Sequence, residues 1–541
     1  MSTIRNPILP GFNPDPSIVR VDEDYYIATS TFEWFPGVQI HHSRDLVHWR
    51  LLTRPLRRAN QLNMLGDPDS CGVWAPCLTY DNGLFYLIYT DVKRYGRTTT
   101  GGASGASLRD FHNYLVASPT IDGDWSDPVY LNSSGFDPSL FHDDDGRKYL
   151  LNQLWDHRPG HNRFAGIVLQ EYLATERKLV GERHLIFTGT SLGFTEGPHI
   201  YKRGGYYYLL TAEGGTGWGH AVTMARSRNL LGPYELHPNV HILTSRDRPD
   251  LALQRAGHAD LVETPAGETY MVHLCGRPLP NRGRCTLGRE TAIQRMQWQD
   301  DWLRPVEPQL EVAAPNVPPH PWPDEPERTL FNSPDLPIHL QWLRSPYPSE
   351  LFSLTERPGH LRLYGRETIG SLFRQSLVAR RLQAHCASIS TSIEFEPEHF
   401  QQLGGLVCYY NSTKFHYLHI THDDAHGKHL RVMSALPDSV MNDAFTPPIP
   451  IPSGPIELRA EIDYERLRFA YRLLKHDWVW LPQLFDASIL SDEASAPGLP
   501  NFTGAFVGIA CQDLSGAARP ADFAFFEYRE RPFQAIVSGT I

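Results

Sequence analysis

The feature that most constrains this chain is a rhythm. A small or acidic residue, usually followed by proline and then by an apolar residue two positions on, recurs in "NPDPS" (13–17), "WAPCL" (74–78), "FDPSL" (136–140), "EGPHI" (196–200) and "HADLV" (258–262). Aligned on Pro16, Pro76, Pro138, Pro198 and Ala259, the copies stand 60, 62, 60 and 61 residues apart. Each leads into a polar turn ("VDED", "YDNG", "HDDDG", "KRGG", "TPAG") and a second apolar run ("YYIATS", "LFYLIYT", "KYLLNQL", "YYYLLTA", "TYMVHLC"). Strand, Gly/Asp turn, aromatic-rich strand is a hairpin signature. "HDDDG" has the look of a calcium loop but lacks the spacing and the glutamate, and it fills the slot of the other turns. A fixed period predicts a repeat architecture, and four-stranded sheets repeated radially make a propeller. The period exceeds the roughly 40–50 residues of WD40 and kelch blades, so the blades carry long loops. The expectation is an all-β chain with a five-bladed propeller over residues 1–311.

In a propeller the first strand of each blade lines the axis, so equivalent positions meet at one mouth. Asp15, Asp137 and His258 are equivalent, and Glu196 lies one residue earlier, in register with Trp74 and Phe136. Acids brought together repel, and burial disfavours their charged forms, so at least one should keep its proton. A protonated acid beside ionised carboxylates is what glycoside hydrolysis needs. Asp-Pro is also an ordinary turn opener; three acids in register favour function.

Composition removes other classes. A net charge of −11 without a basic stripe argues against nucleic acid, and no run of 18 apolar residues offers a membrane span. "MSTIRNPILPGFNPDPS" lacks the apolar core of a secretory signal. With seven scattered cysteines that read as reduced, mostly buried thiols, the expected location is the cytoplasm. Residues 312–328, "VAAPNVPPHPWPDEPER", read as a Pro-rich linker. Beyond them, 329–541 alternate with period two and predict an antiparallel β-sandwich of jelly-roll, lectin-like type. It is either a tethered carbohydrate-binding module or a partner that shapes the active site.

"NPDPS", "WAPCL", "FDPSL", "TEGPH" and "GHADLVET", with "RPGHLRLYGRETIGSLFRQSLVARRLQ" (357–383) and "FTGAFVGIACQDLSG" (502–516), resemble glycoside hydrolase family 43. The resemblance is to its two-domain β-xylosidases and α-L-arabinofuranosidases, across essentially the whole chain. It implies an inverting, exo-acting hydrolase that releases terminal β-D-xylose, and also α-L-arabinofuranose, from xylo-oligosaccharides or arabinose-substituted oligosaccharides. Asp15 would be the general base, Glu196 the general acid, and Asp137 an ionised neighbour that raises and orients Glu196. In an inverting enzyme the two working carboxyls stand about 6.5–9.5 Å apart. Arg289 would clamp sugar hydroxyls with its planar fork, and His258 and Thr216 would add polar contacts. Phe32, Trp74, Ala75 and Phe136 would line the pocket. Phe506, from the sandwich, would close it on one side. The resemblance implies no cofactor for catalysis, a structural calcium in the sandwich near Asp522 and Asn332 (an acid is commoner at the latter), and a homodimer or homotetramer. Two rivals stand beside it: a sugar-binding propeller without catalysis, which would not need the acid at Glu196, and a retaining fructan-type hydrolase, whose "NDPNG", "RDP" and "EC" differ from the motifs present.

Overall fold

The structure, a computed structural model, describes residues 2–95, 108–280, 283–437, 443–494 and 501–531. Among them the regular elements are β-strands and three single-turn 3₁₀ helices. The chain forms two compact units, one built mainly from Met1–Arg277 and Arg289–Pro323, the other from Pro278–Gly288, Asp324–Pro497 and Asn501–Ile541.

The first unit is a five-bladed propeller. Blade 1 comprises Ser17–Val21, Asp24–Thr29, Gln39–Ser43 and Arg50–Thr53; blade 2, Gly72–Asp81, Leu84–Arg94, Asp110–Ser118 and Val129–Asn132. Blade 3 is Ser139–His142, Lys148–Trp155, Phe164–Leu173 and Lys178–Phe187, and blade 4 is Glu196–Arg203, Tyr206–Glu213, Ala221–Ser227 and Glu235–Thr244. Blade 5 has Gln254–Glu263, Thr269–Gly276 and Glu290–Met296. Every ladder within a blade is antiparallel, and the predicted turns supply the backbone the hairpins need. Asn82 and Gly83 (φ 49° and 79°), and Gly204 and Gly205 (φ 56° and 75°), occupy the left-handed region, as a two-residue hairpin turn requires. "HDDDG" closes the same way: Gly146 N donates to Asp143 O at 3.0 Å.

Apolar layers lie between successive blades. Ile88 and Leu115 meet Leu140 and Leu150; Ile167 and Leu169 meet Ile200 and Leu209; Val222 and Met224 meet Met271 and Met296. Ile18 and Ile27 meet Val272 and Ile293 across the seam between blades 1 and 5. Each such side chain contributes roughly 1.5–3 kcal/mol when fully buried, so both faces of most blades are core. The ring closes through the chain's first residues. Leu9 and Thr291 exchange backbone hydrogen bonds (3.2 and 3.3 Å), and Asn13 N donates to Arg289 O. The Asn6 side chain donates to Ile293 O and accepts from Ile293 N, while Thr3–Arg5 pairs with Glu311–Ala313. This N-terminal segment takes the place of a fourth strand in blade 5.

The Pro-rich stretch 312–328 is not a free tether at its start. Val312 is buried, His320 N donates to Asp45 Oδ2 at 2.7 Å, and Trp322 packs on His42 and under Arg50. The second unit is a sandwich of two antiparallel sheets. One runs Phe352–Ser353, Leu361–Leu363, Ala521–Glu530, Cys386–Glu394, Ile456–Asp463, Arg466–Leu473; the other contains Gly427–Ala435, Lys414–Asp423, Gln402–Asn411, Phe506–Asp513, Ser376–Arg381. Strict alternation is visible in Ile456–Asp463, where Ile456, Leu458, Ala460 and Ile462 are buried and their neighbours half-buried, as one face against a core requires. All seven cysteines are buried.

Candidate active site

The repeat positions share a backbone conformation. Asp15, Ala75, Asp137, Gly197 and His258, one from each copy, have φ of 56°, 31°, 53°, 56° and 48°. Left-handed backbone is uncommon outside glycine; such residues cost on the order of 1–3 kcal/mol each and gather at functional sites. The ladders shift register here, between Trp74 and Cys77, Glu196 and His199, and Gly257 and Ala259, and a bulge re-aims the side chains around it. Inner strands are tied across blades: Ser17 Oγ donates to Asp260 and accepts from Leu78 N, and Ser139 Oγ donates to Pro198 O. The geometry also explains why the acid of the fourth copy is offset. A Cβ at Gly197 would stand 3.0 Å from the His258 ring, so this blade presents its acid from the preceding residue, Glu196.

Asp15 is the most tightly held of the three. Its Oδ1 accepts from Arg289 Nη1 at 2.8 Å and its Oδ2 from Ser30 Oγ at 2.7 Å. Ser30 Oγ in turn accepts from Ala75 N at 2.7 Å. Asp15 and Arg289 are both buried, and Nδ1 of buried His258 lies 3.9 Å from the same Asp15 oxygen. Burial lowers the His258 pKa to about 4, with the Asp15 charge opposing it, so the imidazole is neutral at pH 7. Burial, then the charge of Asp15, raises Glu196 to about 8, with Arg289 opposing. Asp137 is itself raised well above the carboxylate range by burial, then by Glu196 and Asp15; Arg289 and the Gly197 N–H oppose. The resemblance implies an ionised Asp137 that lifts Glu196. In the structure burial and Asp15 do the lifting, so Glu196 retains its proton at neutral pH, and Asp137 is raised as well.

Apolar walls adjoin these groups. Phe32, Trp74 and Phe136 form a buried run with ring centroids 5.6 and 5.7 Å apart. The Arg289 guanidinium lies 5.3 Å from the Phe32 ring centre, and the Trp74 indole N–H is anchored on Ser70 O at 3.0 Å. Asp15, Glu196, Asp137, Ala75, His258, Arg289, Phe32, Trp74 and Phe136 thus gather within the propeller. Thr216 is half-buried in the loop that follows Tyr206–Glu213. Phe506 belongs to the second unit, fully buried between the strands of Arg381 and Tyr409, with the Arg381 guanidinium 5.2 Å from its ring centre.

At the position expected for calcium, Asp522 is already paired with arginines. Asp522 accepts from Arg362 Nε at 2.8 Å, Arg362 Nη2 at 3.0 Å and Arg357 Nη1 at 2.9 Å. Burial alone would raise its pKa, yet these two guanidinium groups hold it below the usual value. Asn332 is exposed. A carboxylate already neutralised by two arginines does not fit a divalent cation. Among the described residues no group of three or more His, Cys, Asp or Glu is arranged to hold a metal.

Two supporting residues escaped the sequence reading. Ser30 links Asp15 to blade 2, as described above. Glu213 is fully buried and accepts from Thr190 N, Thr190 Oγ1, Thr195 Oγ1 and Thr223 Oγ1 at 2.6–2.8 Å, which fixes the residue before Glu196. The available signal was a charged residue ending the apolar run "YYYLLTA".

Residues 4–303 match the family model "Glycosyl hydrolases family 43", and residues 328–529 match "Beta xylosidase C-terminal Concanavalin A-like domain". The chain is 52% identical to a xylosidase/arabinosidase 43B of Humicola insolens, covering 98% of both chains. It is 50% identical to a β-xylosidase of Bacillus subtilis (strain 168), over 98% of this chain and all of that one. A crystal structure of a xylan β-1,4-xylosidase from Bacillus halodurans C-125 superposes with a TM-score of 0.93 at 51% identity, covering 97% of this chain and 100% of that one. With acids, arginine, imidazole and aromatic wall gathered in a five-bladed propeller, and with both domains matched end to end, the chain belongs to glycosyl hydrolase family 43.

Proposed function

We propose that this hydrolase is an inverting exo-β-xylosidase that also removes α-L-arabinofuranosyl groups, acting on short xylo-oligosaccharides. The observation that carries the reading is the set of three acids at one repeated left-handed kink, two on it and Glu196 just before it. One of them is ion-paired to Arg289, and the other two are raised by burial. Names borne by relatives at 50–52% identity over the full length support the pentose.

The chemistry follows from the charges. Asp15, as the carboxylate, takes a proton from a water that attacks the anomeric carbon. Glu196 delivers its proton to the glycosidic oxygen as the C–O bond breaks. The water oxygen ends on the face opposite the leaving group, so configuration inverts in one displacement. Asp137, itself raised by burial, accepts from the Gly197 N–H and stands beside the acid. Arg289, ion-paired with Asp15, is the planar group expected to clamp sugar hydroxyls. Neutral His258 can orient a hydroxyl without adding charge. All of these groups are side chains of the propeller.

The test is hydrolysis of p-nitrophenyl β-xyloside and p-nitrophenyl α-arabinofuranoside side by side, with proton NMR of the first sugar released. α-Xylose is expected from the β-xyloside; β-xylose as the initial product would overturn inversion. Rates on p-nitrophenyl β-glucoside matching those on the xyloside would overturn the pentose reading, in which the buried aromatic run of Phe32, Trp74 and Phe136 is expected to exclude a C6 group.

A further inference from the structure

A line of aromatic rings runs outward from the acids. Trp74 meets Phe136 edge to face at 5.7 Å, Phe136 meets Phe164 at 5.9 Å, and Phe164 meets Phe194 at 5.0 Å, the last two again near-perpendicular. Exposure rises along it, from buried Trp74 and Phe136, through half-buried Phe164, to Phe194 with 53% of its surface in solvent. A single exposed apolar side chain is ordinary, but Phe194 departs from that in two ways. Its φ is 55°, a conformation that a bulky side chain adopts at a cost and that accumulates at binding and catalytic sites. Its segment is also held: Thr195 Oγ1 donates to buried Glu213, and the ring lies against Gly215, whose added Cβ would stand 3.9 Å away.

Position relative to the chemistry selects the occupant. Phe194 precedes Glu196 by two residues, so their Cα atoms are at most about 7.6 Å apart. A general acid must face the oxygen of the leaving group, so the sugars that depart lie on the Glu196 side of the site, and Phe194 is the solvent-exposed ring next to it. Aromatic faces suit the C–H surfaces of pyranose rings, and an exposed platform accepts a chain that continues into solvent. We propose that Phe194, backed by Phe164, is the binding platform for the leaving-group sugars of an oligosaccharide substrate. The inference rests on the glycosidase reading above and adds a preference for substrates that carry a leaving-group sugar ring.

The test compares kcat/KM on xylotriose with kcat/KM on methyl β-xyloside, which has no leaving-group ring. In Phe194→Ala and Phe194→Leu the ratio should fall about threefold to tenfold, the range a lost aromatic contact produces. Phe194→Tyr should hold it within about twofold. Leu preserves apolar bulk, so it decides the matter if the Ala variant fails to fold. A ratio unchanged in Ala and Leu, or equal losses on both substrates, would overturn the platform while leaving the glycosidase reading intact. A parent enzyme that cleaves neither substrate nor the nitrophenyl xyloside would remove both.

Discussion

Glu196 keeps a proton at neutral pH because it is buried and has the Asp15 charge nearby; burial is the larger cause, and Arg289 works against both. With the acid form required, kcat/KM should fall as pH rises through about 8, visible as the alkaline limb of a pH–rate profile. Glu196→Gln should lower turnover about a hundred- to ten-thousandfold, the usual range for a general acid. The same raised pKa has a consequence for stability. A carboxyl that binds its proton more tightly when folded stabilises fully below the unfolded value near 4.5, and this contribution is lost as pH climbs to about 8. Gln needs no proton, so the melting temperature of Glu196→Gln relative to the parent should rise between pH 5 and pH 9, which thermal scans across that range would check. A variant less stable than the parent at pH 9 would contradict this account. Asp137 and Glu196 were legible as sequence neighbours of proline in a repeat; that both would be raised was not, because it depends on how completely the finished fold removes them from water.

At the scale of the element, the inner strand of each blade is bent at one repeated position. The bend was not readable from composition, since Asp, Ala and His are all uncommon with positive φ, but the 60-residue spacing located it. Gly197 is where the constraint is sharpest: its φ is 56°, and the His258 ring occupies the space a side chain would need. Gly197→Ala should cost about 1–3 kcal/mol of stability through strain and contact. It should also lower kcat/KM at least tenfold, since small displacements of working groups are expensive in rate. A variant with a normal melting temperature and normal kcat/KM would show that the kink is dispensable. In the sandwich the strand pattern of "LRAEID" was readable by its period of two, whereas the partners of Asp522 were not. Arg357 from the loop and Arg362 from the second strand of the hairpin Phe352–Ser353/Leu361–Leu363 reach it, and only register brings them there.

At the scale of the whole molecule, the propeller is a ring closed by the chain's own beginning. Residues 2–9 supply the pairing with Glu311–Ala313 and the backbone bonds to Thr291, and Ile4, Ile8 and Leu9 bury themselves in the layer between blades 1 and 5. Deleting residues 2–9 should lower the melting temperature by several degrees, given roughly 2–4 °C per kcal/mol for domains of this size. It should also reduce activity, because Asn13 N is bonded to Arg289 O and the next residues lead to Asp15; differential scanning calorimetry with a xyloside assay checks both. The sequence by itself determined the repeat, its five copies, the hairpin turns, the all-β character of both halves and the three acids in register, because these depend on local patterning and on a spacing that survives in one dimension. Tertiary structure alone decided the ion pair of Arg289 with Asp15, the raised pKa values of Glu196 and Asp137, the support from Ser30 and Glu213, and the pairing of Asp522 with two arginines. Those are contacts between residues 10 to 274 positions apart, and their energies depend on burial, which no short stretch of sequence contains.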